Sequence, residues 1–153
     1  MLYDDEDYEL FVSPRTSYYS ATQGGGSRHM MVNGSNQRVA IKIKCSDNEL
    51  YRVSPVYCLL EPGHAQRLQI VRDAGPAKID KIVMNYIFTD ISNPKEAFKE
   101  LNQLENATFE NNSAQNKPVI YKKYIALMAR DEIKVSVTPS TNLQSILKQS
   151  IRS

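Results

Sequence analysis

The chain has 153 residues, of which 41% are hydrophobic and 24% charged, and its formal net charge is +2. This composition predicts a single globular domain with one core, and the small net charge excludes an overall attraction for nucleic acid or an anionic membrane. No apolar run approaches the roughly 18 to 20 residues that a membrane-spanning helix needs, and the first residues are acidic where a signal peptide is basic. We therefore expect a cytoplasmic protein in which Cys45 and Cys58 are free thiols.

The sequence predicts seven or eight β-strands, the first at LFV near Leu10 and the second at HMMV near His29. The stretch between them, SPRTSYYSATQGGGS, is typical of a turn. The clearest strand follows, because Val39, Ile41, Ile43 and Cys45 alternate with Ala40, Lys42 and Lys44. Further strands are predicted at YRVSPVYCLL from Tyr51, QRLQIVR from Gln66, KIVMNYIF from Lys81 and VIYKKYIALMA from Val119. Short strands separated by turns predict an all-β sandwich.

One helix is predicted after Asn93, with Asn93 as its N-cap, Pro94 as its first residue and Glu96 in its first turn. Ala97, Phe98, Leu101 and Leu104 fall on one face, which we expect to lie across an end of the sandwich. Residues 105–117 are polar and Asn-rich, which predicts a mobile loop. The tail could add a strand at 133–137 and a short helix from Asn142. The predicted organisation is a flexible N-terminus over 1–9, a domain over 10–130 and a tail over 131–153.

The block from Arg38 to Tyr57, RVAIKIKCSDNELYRVSPVY, together with the later LLEPG and GPAKIDKIVMNY, resembles the major sperm protein (MSP) domain. The upstream VSP at Val12 to Pro14 and SATQGGG from Ser20 add to this resemblance, which is strongest to the small sperm-specific proteins of nematodes. It implies an immunoglobulin-like sandwich of seven strands, and the helix predicted above from Asn93 is then one short helix before the last strand. It also implies that the chain is not an enzyme and acts by protein–protein association. Small sperm proteins build filaments, whereas VAP-type relatives bind acidic peptide motifs.

A candidate peptide-binding site follows from the lysines of the central strand. Lys42 and Lys44 project from one face, where two ammonium groups attract acidic peptides. The resemblance to the VAP-type Lys-x-Lys-Thr-Thr pattern adds Ser46 and Cys45, whose thiol replaces one hydroxyl, and it matches Lys81 and Lys123 to further basic contacts on later strands. Val83 is added at the position where that family has a Met. The alternative is that these lysines only keep the domain soluble and discourage edge pairing.

A second candidate is a dimer edge formed by Tyr51, Val53, Pro55 and Tyr57. Pro55 cannot donate a hydrogen bond to a neighbouring strand, which favours an edge or a bulge. Edges are where strands of another subunit add, as in filament-forming relatives. The alternative is an edge covered by its own loops.

Catalytic and cofactor sites are not predicted. His29 and His64 are the only histidines, each better explained as a strand or turn residue, and no metal-binding or nucleophile motif is present. The GGGS stretch at Gly24 lacks the Lys of a phosphate-binding loop. The sequence therefore predicts no catalytic residues, no metal or other cofactor, no nucleic-acid partner and no membrane insertion. The partner that the resemblance implies is a protein.

Overall fold

The computed structural model describes residues 9–111 and 119–131, and within residues 104–111 it describes the backbone only. Three predictions therefore fall wholly or mainly outside the described residues. These are the flexible N-terminus, the last part of the predicted loop, over 112–117, and the strand and helix of the tail.

The described chain forms nine β-strand segments and one α-helix. The strands are β1 (Leu10–Ser13), β2 (Thr16–Ser20), β3 (Gly25–Asn33), β4 (Val39–Cys45), β5 (Tyr51–Ser54), β6 (Tyr57–Leu60), β7 (Ala65–Arg72), β8 (Lys78–Phe88) and β9 (Tyr121–Arg130). The helix, α1 (Pro94–Asn111), lies between β8 and β9.

The strands form two sheets that pack face to face. One sheet has four strands in the order β1-β3-β7-β5, and the other has five in the order β2-β9-β8-β4-β6. Neighbours are antiparallel except for β2 and β9, which are parallel. This architecture confirms the predicted immunoglobulin-like sandwich.

Two prolines mark the points at which the chain changes sheet. Pro14 separates β1 from β2, and Pro55 separates β5 from β6, each after a cis peptide bond. Because proline has no N–H to donate to a neighbouring strand, it suits a position where pairing is interrupted. Counting each interrupted strand once gives the seven strands that the resemblance implies.

The core lies between the sheets and is made of the inward positions of alternating strands. In β4 the side chains of Ile41 and Ile43 point inward, as the alternation predicts, and contact the cluster that includes Leu68 and Ile82. Burial of an aliphatic side chain of this kind contributes about 1.5–3 kcal/mol relative to leaving it exposed. This interior holds both sheets together.

The helix begins as predicted and packs on a different surface from the one expected. The Asn93 side-chain oxygen accepts the N–H groups of Lys95 at 2.9 Å and Glu96 at 3.1 Å, which makes Asn93 the N-cap. Ala97, Phe98 and Leu101 are buried, as predicted, but they form a second cluster with Ala40 and Ile87 on the outside of the five-stranded sheet. The helix therefore covers one end of that outer face instead of the core between the sheets.

Two loop predictions are wrong in part. Residues 105–111 continue the helix to Asn111. The stretch between Ser13 and His29 contains β2 and the start of β3, so only Ala21–Gly24 forms the turn between them. Gly24 has a φ of +79°, and a Cβ at this position would lie 2.3 Å from the Arg72 carbonyl oxygen. Glycine is required there for both reasons.

His29 has a structural role at the point where the chain crosses from β1 in one sheet to β2 in the other. The ring is 2% exposed, its Nδ1 lies 2.8 Å from the Pro14 carbonyl oxygen, and its Nε2 lies 2.8 Å from Ser27 Oγ. Because a carbonyl oxygen only accepts, Nδ1 donates to it. The buried ring thus uses both nitrogens to hold the crossing.

Candidate functional site

The outer face of the five-stranded sheet carries a row of cations that we call the lysine face, defined by Lys42, Lys44, Lys81 and Lys122. In the register of the sheet, Asn85 of β8 lies between Lys42 of β4 and Lys122 of β9. Lys44 of β4 lies opposite Val83 of β8. Lys44, Lys81 and Lys122 are exposed, and Lys42 is half-buried. Adjacent strands are about 4.8 Å apart, which keeps these ammonium groups close enough to act on one ligand.

Aromatic rings accompany these ammonium groups. Lys81 Nζ lies 5.4 Å from the centre of the Tyr124 ring, and Lys42 Nζ lies 5.7 Å from the centre of the Tyr57 ring. Tyr124 is 43% exposed, and Val83 lies between it and Lys44. The face therefore combines positive charge with apolar surface, as a peptide-binding site requires.

Acidic side chains are missing from the part of this face that the structure describes. The outward positions of β2, β4, β8 and β9 carry neither Asp nor Glu. Asp80, the one acidic residue in these strands, points inward and is 8% exposed. Among the described residues, no Asp or Glu forms an ion pair with Lys42, Lys44, Lys81 or Lys122, so the lysine face presents a net positive charge to a ligand.

Cys45 and Ser46 do not join the lysine face. Cys45 is half-buried against the core on the inward side of β4. The Ser46 hydroxyl donates to Asp80 Oδ1 at 2.7 Å and accepts the Lys81 N–H at 3.0 Å, which holds the end of β4 against β8. Ser46 therefore positions the strand that carries Lys81.

Lys123 is also not on the lysine face, and its neighbour Lys122 takes that place. Lys123 is 3% exposed and lies opposite Met84 on the inward side of β9, in line with Ile125 and Leu127. Lys122 points outward, and its ammonium donates to the Asn85 side-chain oxygen at 3.2 Å. In the sequence, Lys123, Ile125 and Leu127 follow one another at intervals of two residues, and this alternation could have predicted that Lys123 points inward and Lys122 outward.

The segment proposed as a dimer edge does form edge strands. β5 is the last strand of the four-stranded sheet, and β6 is the last strand of the five-stranded sheet. The structure does not bring the four proposed residues to one surface. Tyr51 is 1% exposed, Val53 packs against the core, Pro55 lies at the crossing and Tyr57 contacts Phe98 of the helix. Val56 is 47% exposed and stands between the two edges.

An ion cluster lies beyond the end of the lysine face. Lys78 Nζ contacts Asp47 Oδ2 at 2.5 Å and Asp80 Oδ2 at 3.3 Å. The hydrogen bond from Lys78 lowers the pKa of Asp47, and the same bond raises the pKa of Lys78. Asp47 Oδ1 also accepts the N–H groups of Glu49 and Leu50. The cluster fixes the turn between β4 and β5.

The described residues include no group of three or more His, Cys, Asp or Glu side chains that could hold a metal ion. Burial raises the pKa of the Cys58 thiol to about 11, which keeps it protonated at neutral pH. Within the described residues, no helix is both long enough and apolar enough to cross a membrane.

Comparison with known proteins identifies the family. A family profile described as "MSP (Major sperm protein) domain" matches residues 9–107. Sperm-specific class P protein 31 of Caenorhabditis elegans is 42% identical over 89 residues, which cover 57% of this chain and 82% of that protein.

Two solved structures from the same organism share the fold. The structure of WR4, a C. elegans MSP family member, matches with a TM-score of 0.61 and 33% identity, over 80% of this chain and 98% of that chain. SSP-19, an MSP-domain protein-like family member, matches with a TM-score of 0.60 and 28% identity, over 77% and 96% of the respective chains. The chain therefore belongs to the major sperm protein domain family.

Proposed function

We propose that this protein acts through protein–protein association, as a non-enzymatic structural component of nematode sperm in the cytoplasm, associated with a filament system. The observation that carries this proposal is family membership with sperm-specific relatives, together with two edge strands that follow one another in the chain. An edge strand has backbone N–H and C=O groups free to pair with another chain.

The edge formed by β5 and β6 is the surface we assign to self-association. β5 pairs only with β7, and β6 pairs only with β4, among the described strands. Arg52, Ser54 and Val56 are exposed along this edge, so a second copy can approach it without disturbing the core. Since each sheet ends here, one contact between two copies can extend both sheets.

Sedimentation across a concentration series tests this proposal. Val56→Lys places a charge between the two edges and should weaken self-association. Val119→Lys is the matched control, because Val119 is 59% exposed and lies just before β9, away from this edge. Association that is strong in the wild type and in Val119→Lys, and weak in Val56→Lys, supports the proposal. A wild-type chain that stays monomeric at high concentration contradicts it.

A second candidate function is an adaptor that binds acidic peptide motifs on the lysine face. It is favoured by the exposed ammonium groups of Lys44 and Lys81 and by the absence of Asp and Glu from the outward positions of the described strands. Because exposed ion pairs contribute about 0.2–1 kcal/mol each, such binding needs several lysines together with the apolar surface of Val83 and Tyr124.

Titration with an acidic peptide at low and high salt separates the two functions. Binding to the lysine face should weaken with salt and should be lost in Lys44→Glu. Lys99→Glu is the control, since Lys99 is exposed on α1 and the charge change is the same. Peptide binding that does not change with salt concentration, or that is equal in Lys44→Glu and Lys99→Glu, would contradict the adaptor function.

A further inference from the structure

We propose that the lysine face binds the acidic N-terminal segment of a second copy of this chain. The inference rests on the proposed protein-binding role of that face and names the partner. Residues 1–8 read MLYDDEDY, with four consecutive acidic residues, Asp4, Asp5, Glu6 and Asp7, between apolar and aromatic side chains. This segment offers the opposite charge to that of the lysine face, with apolar residues on both sides of the charges.

The point at which the segment joins the domain determines whether the segment can bind the lysine face of its own copy or that of a second copy. Leu10 pairs with Asn33, and the Asn33 side-chain amide donates to the Leu60 carbonyl at 2.9 Å. Leu60 in turn lies opposite Val39, the first residue of β4. The N-terminal segment therefore joins the domain at the Val39 end of the lysine face.

The segment of the same copy joins the domain beside Lys42 and Lys122, and its acidic run cannot extend along the whole face to Lys44 and Lys81. Lys44 is five residues along β4 from Val39, which is about 17 Å at roughly 3.4 Å per residue. The segment must also cross from the four-stranded to the five-stranded sheet, another 10 Å or so. Asp4 precedes Glu9 by five residues and so reaches at most about 17 Å when fully extended. Lys81 lies beyond Lys44 in the same direction, next to Ser46.

A second copy has no such limit, because its segment can approach the whole face from outside. The lysines are available, since Lys44 and Lys81 make no ion pair with the described residues. The segment joins the domain at Glu9, away from Lys44 and Lys81, so a contact between the segment of one copy and the lysine face of another is head-to-tail. A head-to-tail contact that does not close into a ring produces an open chain of subunits.

A charge-swap experiment on the full chain tests this inference by measuring self-association at low and high salt. The segment variant carries Asp4→Lys, Asp5→Lys and Asp7→Lys. The face variant carries Lys44→Glu, Lys81→Glu and Lys122→Glu. Each variant should lose the salt-sensitive part of self-association, by about tenfold or more in the dissociation constant, because each places like charges opposite one another.

The combined variant, with all six changes, has the wild-type net charge and restores opposite charges across the contact. We expect it to regain the salt-sensitive association. The matched control combines the segment changes with reversals at three exposed basic residues elsewhere, Arg28→Glu, Arg67→Glu and Lys99→Glu. It has the same net charge but an intact lysine face, so it should not regain association.

The outcomes separate this inference from the proposed function. An edge contact through β5 and β6 is present in every variant and cancels from the comparison. If the segment variant associates as the wild type does, or if the combined variant fails to recover while its circular dichroism is native, the inference is wrong. Self-association that changes neither with salt nor in the segment and face variants would contradict this inference but would agree with the proposed function. A chain that binds neither itself nor an acidic peptide would remove both.

Discussion

The ammonium of Lys81 lies 5.4 Å from the centre of the Tyr124 ring, with both side chains on the outer face of the five-stranded sheet. An exposed contact of this kind contributes about 0.5–1 kcal/mol. Its larger effect is to hold the Lys81 charge beside the apolar surface that a bound peptide would cover.

We predict that Lys81→Glu weakens binding of an acidic peptide by about tenfold or more at low salt, because it replaces an attraction by a repulsion. The free energy of unfolding should change by less than about 1 kcal/mol, since the side chain is exposed. Fluorescence anisotropy and urea denaturation measure the two quantities. Lys99→Glu, with the same charge change on α1, should leave peptide binding nearly unchanged, and an equal loss in both variants would refute a localised site.

The N-cap of α1 gives a prediction for stability. Asn93→Ala removes the oxygen that accepts the N–H groups of Lys95 and Glu96, and it should lower the free energy of unfolding by about 0.5–2 kcal/mol. Asn93→Asp keeps an acceptor and adds a negative charge at the helix N-terminus, so it should retain the stability. Urea denaturation followed by circular dichroism compares the variants. Equal stability of the alanine variant and the wild type would show that the cap is not used.

The ion cluster at Lys78 predicts a dependence of stability on pH. The pKa of Asp47 is lowered by the hydrogen bond from Lys78. The stability that this hydrogen bond contributes is therefore fully present above 3.8, the ordinary pKa of Asp47, and is lost as the pH falls through the lower pKa of Asp47 in the folded state. We expect Lys78→Met to be less stable than the wild type near neutral pH and the difference to shrink below about pH 4.

Urea denaturation midpoints measured from about pH 3 to pH 7 test this dependence. Lys99→Met is the control, because Lys99 is exposed on α1 away from the cluster. A difference between Lys78→Met and the wild type that is the same at both ends of this range would contradict the assignment.

The buried thiol of Cys58 should resist modification. Its pKa is raised to about 11 by burial, and the residue is 8% exposed. At pH 8 about one thiol in a thousand is then ionised, and only the thiolate reacts. In a Cys45→Ser variant, a disulfide reagent should label the folded chain only very slowly and the urea-unfolded chain quickly. Rapid labelling of the folded chain would mean that Cys58 is reachable by the reagent.

The strands and the helix start could be predicted because their signals are local. The alternation of Val39, Ile41 and Ile43 fixes which side of β4 is buried, and the same period would have placed Lys123 inside and Lys122 outside. Asn93 followed by Pro94 and Glu96 marks a helix N-terminus in the sequence itself.

The remaining features depend on contacts between distant residues. β2 was missed because the run Thr16–Ser20 reads as polar, although Ser17 and Tyr19 are buried by partners far along the chain. The surface that α1 covers depends on Ala40, whose small side chain lies on the outward face of β4 and leaves room for Phe98. Neither partner is visible in the local sequence, so the sequence alone could not place the helix or complete the lysine face.

Self-association of the full chain is the central claim, and sedimentation equilibrium over a wide range of protein concentrations tests it most directly. We predict an apparent mass that rises above that of one chain in the wild type and in Val119→Lys, and that rises much less in Val56→Lys. An apparent mass equal to one chain at every concentration would contradict assembly as the function of this domain.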